Sequence, residues 1–281
     1  MIRYTTRTKF HQIKYLKMLS KNSKMLPKNS KMFPQIIYYS SSYNDSVGNL
    51  LTIGIEYLGL NLNDYIEQNK PLDNREMKLL FYNIIKIYYK LREKNIVHWD
   101  VSKNNILVKS SQKVYLCDFE HSFNFDKNLD TENFPTVWPK SCVTKDYLSP
   151  ELMAWYRLSS DMRYLNYDPF KSEVFSLGLI FLSIGKISIE GLNKFGEHYD
   201  IIHIKALLTI SYNYIVKDSL KVISYKMLAN ELQNLIDERI NLCPYDFLKS
   251  ILRKMLEVDM VKRSTINDIY HLAKCHVGNF A

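Results

Sequence analysis

The chain has 281 residues, 46% of them hydrophobic, with a formal net charge of +9. That length can bury a core as one large domain or as two lobes. The basic excess of residues 3–31 reads as a solvated face or tail, since no nucleic-acid-binding module accompanies it. Cys117, Cys142, Cys243 and Cys275 form no CxxC pair, which argues against a zinc site or a disulfide framework and for a reducing, intracellular setting.

In chain order, residues 10–19 place Phe10, Ile13, Leu16 and Leu19 at helical spacing. Residues 20–34, rich in Lys, Ser, Asn and Pro, read as a loop. Two strands, 36–43 and 50–57, are expected around a turn carrying Asn44-Asp45 and Gly48-Asn49. A short helix over 62–68 follows. Asp73 then caps a long helix to about residue 94, with Met77, Leu80, Phe81, Ile84, Tyr88 and Leu91 along one side. Short strands are expected over 105–108 and 113–118, and residues 119–150 look irregular. Helical patterns then cover 171–185, 203–212, 225–239, 246–256 and 265–275. The longest apolar run, 174–184, is too short to span a bilayer and reads as a buried helix. The first residues, Met1-Ile2-Arg3-Tyr4, carry no signal-peptide apolar block.

The chemistry concentrates in one place. His98-Trp99-Asp100-Val101-Ser102-Lys103-Asn104-Asn105 sets an aspartate five residues before an asparagine, and Asp118-Phe119-Glu120 ends the next apolar run. Two acids and a carboxamide on neighbouring short strands are the groups needed to hold a hydroxyl and a magnesium-bound phosphate chain.

These segments and five others, in order, resemble a eukaryotic-type protein kinase domain of the serine/threonine type. Residues 10–19 resemble the regulatory helix, and Ile53-Gly54-Ile55-Glu56-Tyr57-Leu58 the last small-lobe strand and hinge. Residues 98–108 resemble the catalytic loop, and Asp118-Phe119-Glu120 the metal-binding triplet. Thr144-Lys145-Asp146-Tyr147-Leu148-Ser149-Pro150-Glu151 resembles the peptide-positioning loop. Lys171-Ser172-Glu173-Val174-Phe175-Ser176-Leu177-Gly178 resembles the central buried helix, and Asp259-Met260-Val261-Lys262-Arg263 the late arginine motif.

The resemblance implies an α+β, protein-kinase-like bilobal fold. A curtailed N-terminal β lobe would cover residues 1–57, and a mostly helical lobe residues 58–281. It implies ATP and Mg2+ as cofactors and phosphoryl transfer to protein Ser/Thr hydroxyls, with Asp100 as base and Lys103 near the phosphate. Asn105 and Asp118 would hold the metal. Leu107 would lie under adenine, and the backbone of Glu56 and Leu58 would meet its edge. Glu151 and Arg263 would form a buried ion pair. The partners implied are a protein substrate or a partner kinase, with no nucleic acid and no membrane.

Several residues depart from the family pattern. No GxGxxG occurs, none of the eight glycines precedes Gly48, and Gln12 stands where a helix glutamate would pair with a phosphate-gripping lysine. The expectation is weak or lost activity, from either a truncated kinase or a pseudokinase acting as an interaction module. Trp99 replaces a phosphate-receiving arginine, so phosphorylation of Thr131, Thr136, Ser141 or Thr144 would not switch the domain by that route. Ser102 stands where a lysine is usual. Glu120 replaces a glycine and adds charge near the metal. The triplet ending in Glu120 also resembles small-molecule alcohol kinases of the choline kinase type, the less favoured reading.

Overall fold

The computed structural model describes residues 2–5, 14, 32–34, 36–44, 48–55, 57–69, 71–125, 144–157, 168–193 and 219–278. The chain forms two compact units, Met1–Asn124 and Phe125–Ala281. The expected helices over 10–19 and 203–212 lie outside the described residues, apart from Lys14, which is helical. Gln12, Glu56, Thr131, Thr136 and Ser141 also lie outside them.

The first unit opens with a three-stranded antiparallel sheet. Strands β1 (Ile2–Thr5), β2 (Ile36–Asn44) and β3 (Gly48–Ile55) lie in the order β1-β3-β2. The β2–β3 hairpin falls where the two apolar runs and the Asn/Gly turn residues predict it, closing at Asn44 opposite Gly48. β1 has no counterpart among the expected strands. Four residues hold only two turns of alternation, too little for a pattern argument, and pairing of Ile2 through Thr5 with Ile53 through Leu50 creates the strand.

Next come β4 (Leu60–Asn61), α1 (Leu62–Gln68) and α2 (Asn74–Glu93). Asn61 caps α1 by accepting from the Asp64 N–H at 2.9 Å. Asp73 and Glu76 form a reciprocal capping box on α2, with bonds of 2.7 and 3.3 Å. All six apolar residues expected on one side of α2 are buried, and so are Leu79, Tyr82, Ile85 and Ile87. This helix is therefore covered over most of its circumference. It packs on β5 (Ile96–Val97) and on β7 (Lys113–Leu116). The Asn83 amide ties it to Ser111 O, in the turn between β7 and β6 (Ile106–Ser110), at 3.0 Å. β4, β6 and β7 form a second antiparallel sheet, and β5 pairs with β8 (Phe123–Asn124).

The second unit is helical among its described residues. It contains α3 (Pro150–Arg157), α4 (Pro169–Ile184), α5 (Ser219–Asn241), α6 (Asp246–Met255) and α7 (Ile266–Val277). Asp168 caps α4 and Pro169 occupies its first turn, where a missing N–H costs nothing. α4 is buried almost throughout, as the apolar run predicts, and α6 and α7 pack against it. Thr265 and Asp268 make a second capping box on α7. No helix among the described residues is long and apolar enough to cross a membrane. The small antiparallel sheets and mostly helical remainder give the α+β class expected.

Candidate active site

All of the site described here lies within the first unit. Leaving β5, the chain buries His98 completely; a ring nitrogen, Nε2, lies 2.8 Å from the Cys117 carbonyl. The His98 ring meets Phe119 edge-on at 5.0 Å, and Phe119 meets Phe33 at 5.9 Å. Burial holds the His98 imidazole below its ordinary pKa, against the pull of the Asp100 and Asp118 carboxylates. Trp99 follows in the left-handed region, φ 76°, packed edge-on against Phe123 at 5.4 Å.

Asp100 comes next. Its Oδ2 and its backbone carbonyl both accept from the Asn105 Nδ2, at 2.8 and 2.9 Å. Asn105 closes the 3₁₀ turn Lys103–Asn105 and is buried. With both bonds made by its nitrogen, its amide oxygen remains the acceptor. Cys117 N–H donates to the Asn105 carbonyl at 2.9 Å, continuing the β6–β7 pairing one step past the strand end. That bond sets Asp118 beside Asn105. The Cys117 Sγ donates to the same carbonyl at 3.3 Å, and burial pushes this thiol up to about 12, which removes it as a nucleophile.

Asp118 is itself left-handed, φ 61°, and its buried Oδ1 has no hydrogen-bond partner among the described residues. Burial pushes its carboxyl above the ordinary value. The His98 ring opposes that shift, while the Glu120 and Asp100 carboxylates add to it. Left-handed backbone at two non-glycine residues in one site is strain of the kind found where function is held in place.

The sequence-predicted residues therefore sort clearly. Asp100, Asn105 and Asp118 come together. Lys103 starts the 3₁₀ turn and is half-buried, while Ser102 beside it is almost fully buried. Leu58 is buried; Leu107 is half-exposed on the face of β6 opposite to buried Ile106 and Val108. The fully buried Ser122 and the Phe33–Phe119–His98 stack were not foreseen. A serine in an irregular stretch carries no periodic signal, and ring contacts between residues far apart in sequence carry none either.

No group of three or more His, Cys, Asp or Glu side chains among the described residues is arranged to hold a metal ion. The chemistry of the site nonetheless fits a hard cation shared with a ligand. Asp118 offers a buried carboxylate oxygen with no partner among the described residues and Asn105 an amide oxygen, leaving the remaining coordination positions to the ligand and water.

In the second unit, Arg263 donates to Glu151 twice, Nη1 to Oε1 at 2.7 Å and Nη2 to Oε2 at 3.1 Å. Its other donors reach the carbonyls of Lys171, Glu257 and Val258, and its guanidinium lies 4.8 Å from the Phe175 ring centre. Ser172 Oγ completes the shell on Glu151 at 2.7 Å. The ion pair expected from the two distant motifs is present and buried.

Comparison with known proteins gives one family. The model for the protein kinase domain matches residues 6–273. Over 84 residues the chain is 31% identical to the "Probable serine/threonine-protein kinase MRK1 homolog" of Encephalitozoon cuniculi, covering 30% of this chain and 26% of that protein. Over 102 residues it is 30% identical to the "Probable serine/threonine-protein kinase fnkB" of Dictyostelium discoideum, covering 36% of this chain and 18% of that protein. The chain thus spans about a quarter or less of the length of these curated relatives.

Proposed function

Because the chain belongs to the protein kinase domain family, we propose that it transfers a phosphoryl group from ATP, with magnesium, to Ser or Thr hydroxyls of a protein, at a rate lowered by the departures from the family pattern, no GxGxxG occurring in the sequence. The observation that carries this reading is the buried, partnerless Oδ1 of Asp118 beside the hydrogen-bonded Asn105–Asp100 pair. Asp100 receives the hydroxyl proton, its carboxylate steadied by the Asn105 amide. Asn105 and Asp118 supply oxygen ligands for magnesium, which when bound neutralises charge on the phosphate oxygens. Lys103 faces the transferred group. Leu107 lies under adenine, and the main chain at Leu58 meets its edge.

A second reading has its own support. Glu120 adds a carboxylate where the family pattern has glycine, and its charge makes the ionised form of Asp118 harder to hold. That disfavours an anionic triphosphate and suits a non-catalytic module that binds a partner kinase or its substrate.

Melting with Mg-ATP separates the two. A ligand at a hundredfold its dissociation constant adds about 2.7 kcal/mol to stability. The catalytic reading expects a raised Tm for the wild type, none for Asp118→Asn, and labelled phosphate on a mixed Ser/Thr peptide library that disappears with Asp100→Asn. An unchanged wild-type Tm at millimolar Mg-ATP supports the interaction module.

A further inference from the structure

We infer that Ser122 is a positioning residue for Asp100, acting through the left-handed turn at Trp99; the inference rests on the catalytic reading of that aspartate. The Ser122 side chain is fully buried, and its Oγ donates to the His98 carbonyl at 3.2 Å. That carbonyl belongs to the peptide unit joining His98 to Trp99. Trp99 φ measures rotation about the bond between that peptide unit and the Trp99 Cα, so the hydroxyl pins the plane that φ describes. At φ 76° a bulky L-residue sits in a sparsely allowed region and relaxes unless something holds it.

The surroundings make Ser122 well placed to hold it. Ser122 follows Phe119 in a tight turn, its N–H donating to the Phe119 carbonyl at 3.3 Å. It immediately precedes Phe123, whose ring takes the edge of Trp99 and whose backbone pairs with Val97. The turn is fastened at its far end as well, where Asn105 Nδ2 binds the Asp100 carbonyl at 2.9 Å. Two side chains thus grip the carbonyls on either side of Trp99 and fix the direction in which Asp100 leaves it. Without Ser122, the turn loses its hold on the His98 carbonyl and keeps that of Asn105 on the Asp100 carbonyl and carboxylate.

Hydrogen exchange on the full chain tests this independently of activity. In Ser122→Ala, amides over residues 99–101 should exchange about tenfold faster, the factor one net hydrogen bond represents, while α2 amides keep their wild-type rates. Unchanged exchange over 99–101, or a uniform rise through α2, overturns the inference. Where the wild type phosphorylates peptide, Ser122→Ala should lower kcat tenfold or more with KM for ATP held, since small misplacements of a catalytic group cost that much. A change confined to KM also overturns it. If the wild type transfers no phosphate, the proposed activity fails by itself and the exchange result still decides the role of Ser122. Ser122→Cys, close in volume but only a weak donor, carries the same test if the alanine variant does not fold.

Discussion

Gly59 has φ 113°, and a Cβ built on it would lie 2.3 Å from the Val108 carbonyl oxygen. Both facts require glycine where the chain drops from the proposed hinge into β4 and pairs with β6. Gly59→Ala should cost about 1–3 kcal/mol from backbone strain alone, with the clash added, and chemical denaturation will read the loss. Ser149 presents the opposite case. It is fully buried ahead of α3, and its hydroxyl has no partner among the described residues. A buried orphan hydroxyl carries a desolvation cost that alanine does not. Ser149→Ala should therefore raise stability by about 1 kcal/mol, against the usual direction for a core substitution. Neither residue's role is readable from sequence, because each depends on what a distant segment places against it.

At the scale of elements, the legible parts are those whose cause is local. α2 falls where its capping residue and apolar spacing place it, and α1 and α4 lie where helices were expected, with differences of at most two residues at their ends. α3 was not expected as a helix: its first two residues, Pro150 and Glu151, read as the end of a motif, and residues 152–157 showed no pattern. Its acid, Glu151, was identified by its place in that motif. Burial by itself pushes the Glu151 carboxyl up. The Arg263 charge, its hydrogen bonds and the Ser172 hydroxyl outweigh that and hold the pKa below the ordinary 4.5. A folded-state value below the unfolded one contributes stability above pH 4.5, lost as pH falls through the folded value because the unfolded chain binds the proton more readily. Glu151→Gln at neutral pH leaves Arg263 buried without its counter-charge and should cost about 3–5 kcal/mol. Urea titrations between pH 3 and 7 will check both points: the wild-type stability should fall below pH 4.5, and the variant should lack that component.

At the scale of the whole molecule, the chain order of short motifs carried the family, and five of the seven motifs contribute a side chain to one of two clusters among the described residues. Asp100, Asn105 and Asp118 meet in the first unit, and Glu151 and Arg263 in the second. Sequence could name these residues but could not supply the grips between them. The Ser122 bond to His98 and the Phe33–Phe119–His98 stack are products of tertiary packing. The same packing governs regulation by phosphate. Trp99 lies where a phosphate-receiving arginine would, is 7% exposed, and has one neutral donor on an indole packed against Phe123. An arginine there would answer a phosphate with a bidentate, charge-assisted contact; an indole packed in this way has no comparable response. Phosphorylating Thr144, or replacing it with glutamate, should leave hydrogen exchange over residues 98–123 at its unmodified rates. Trp99→Arg should speed exchange over the same residues, because the ring contact with Phe123 is lost. Protection of residues 98–123 by phosphate in the wild type would show that a cation other than residue 99 receives it.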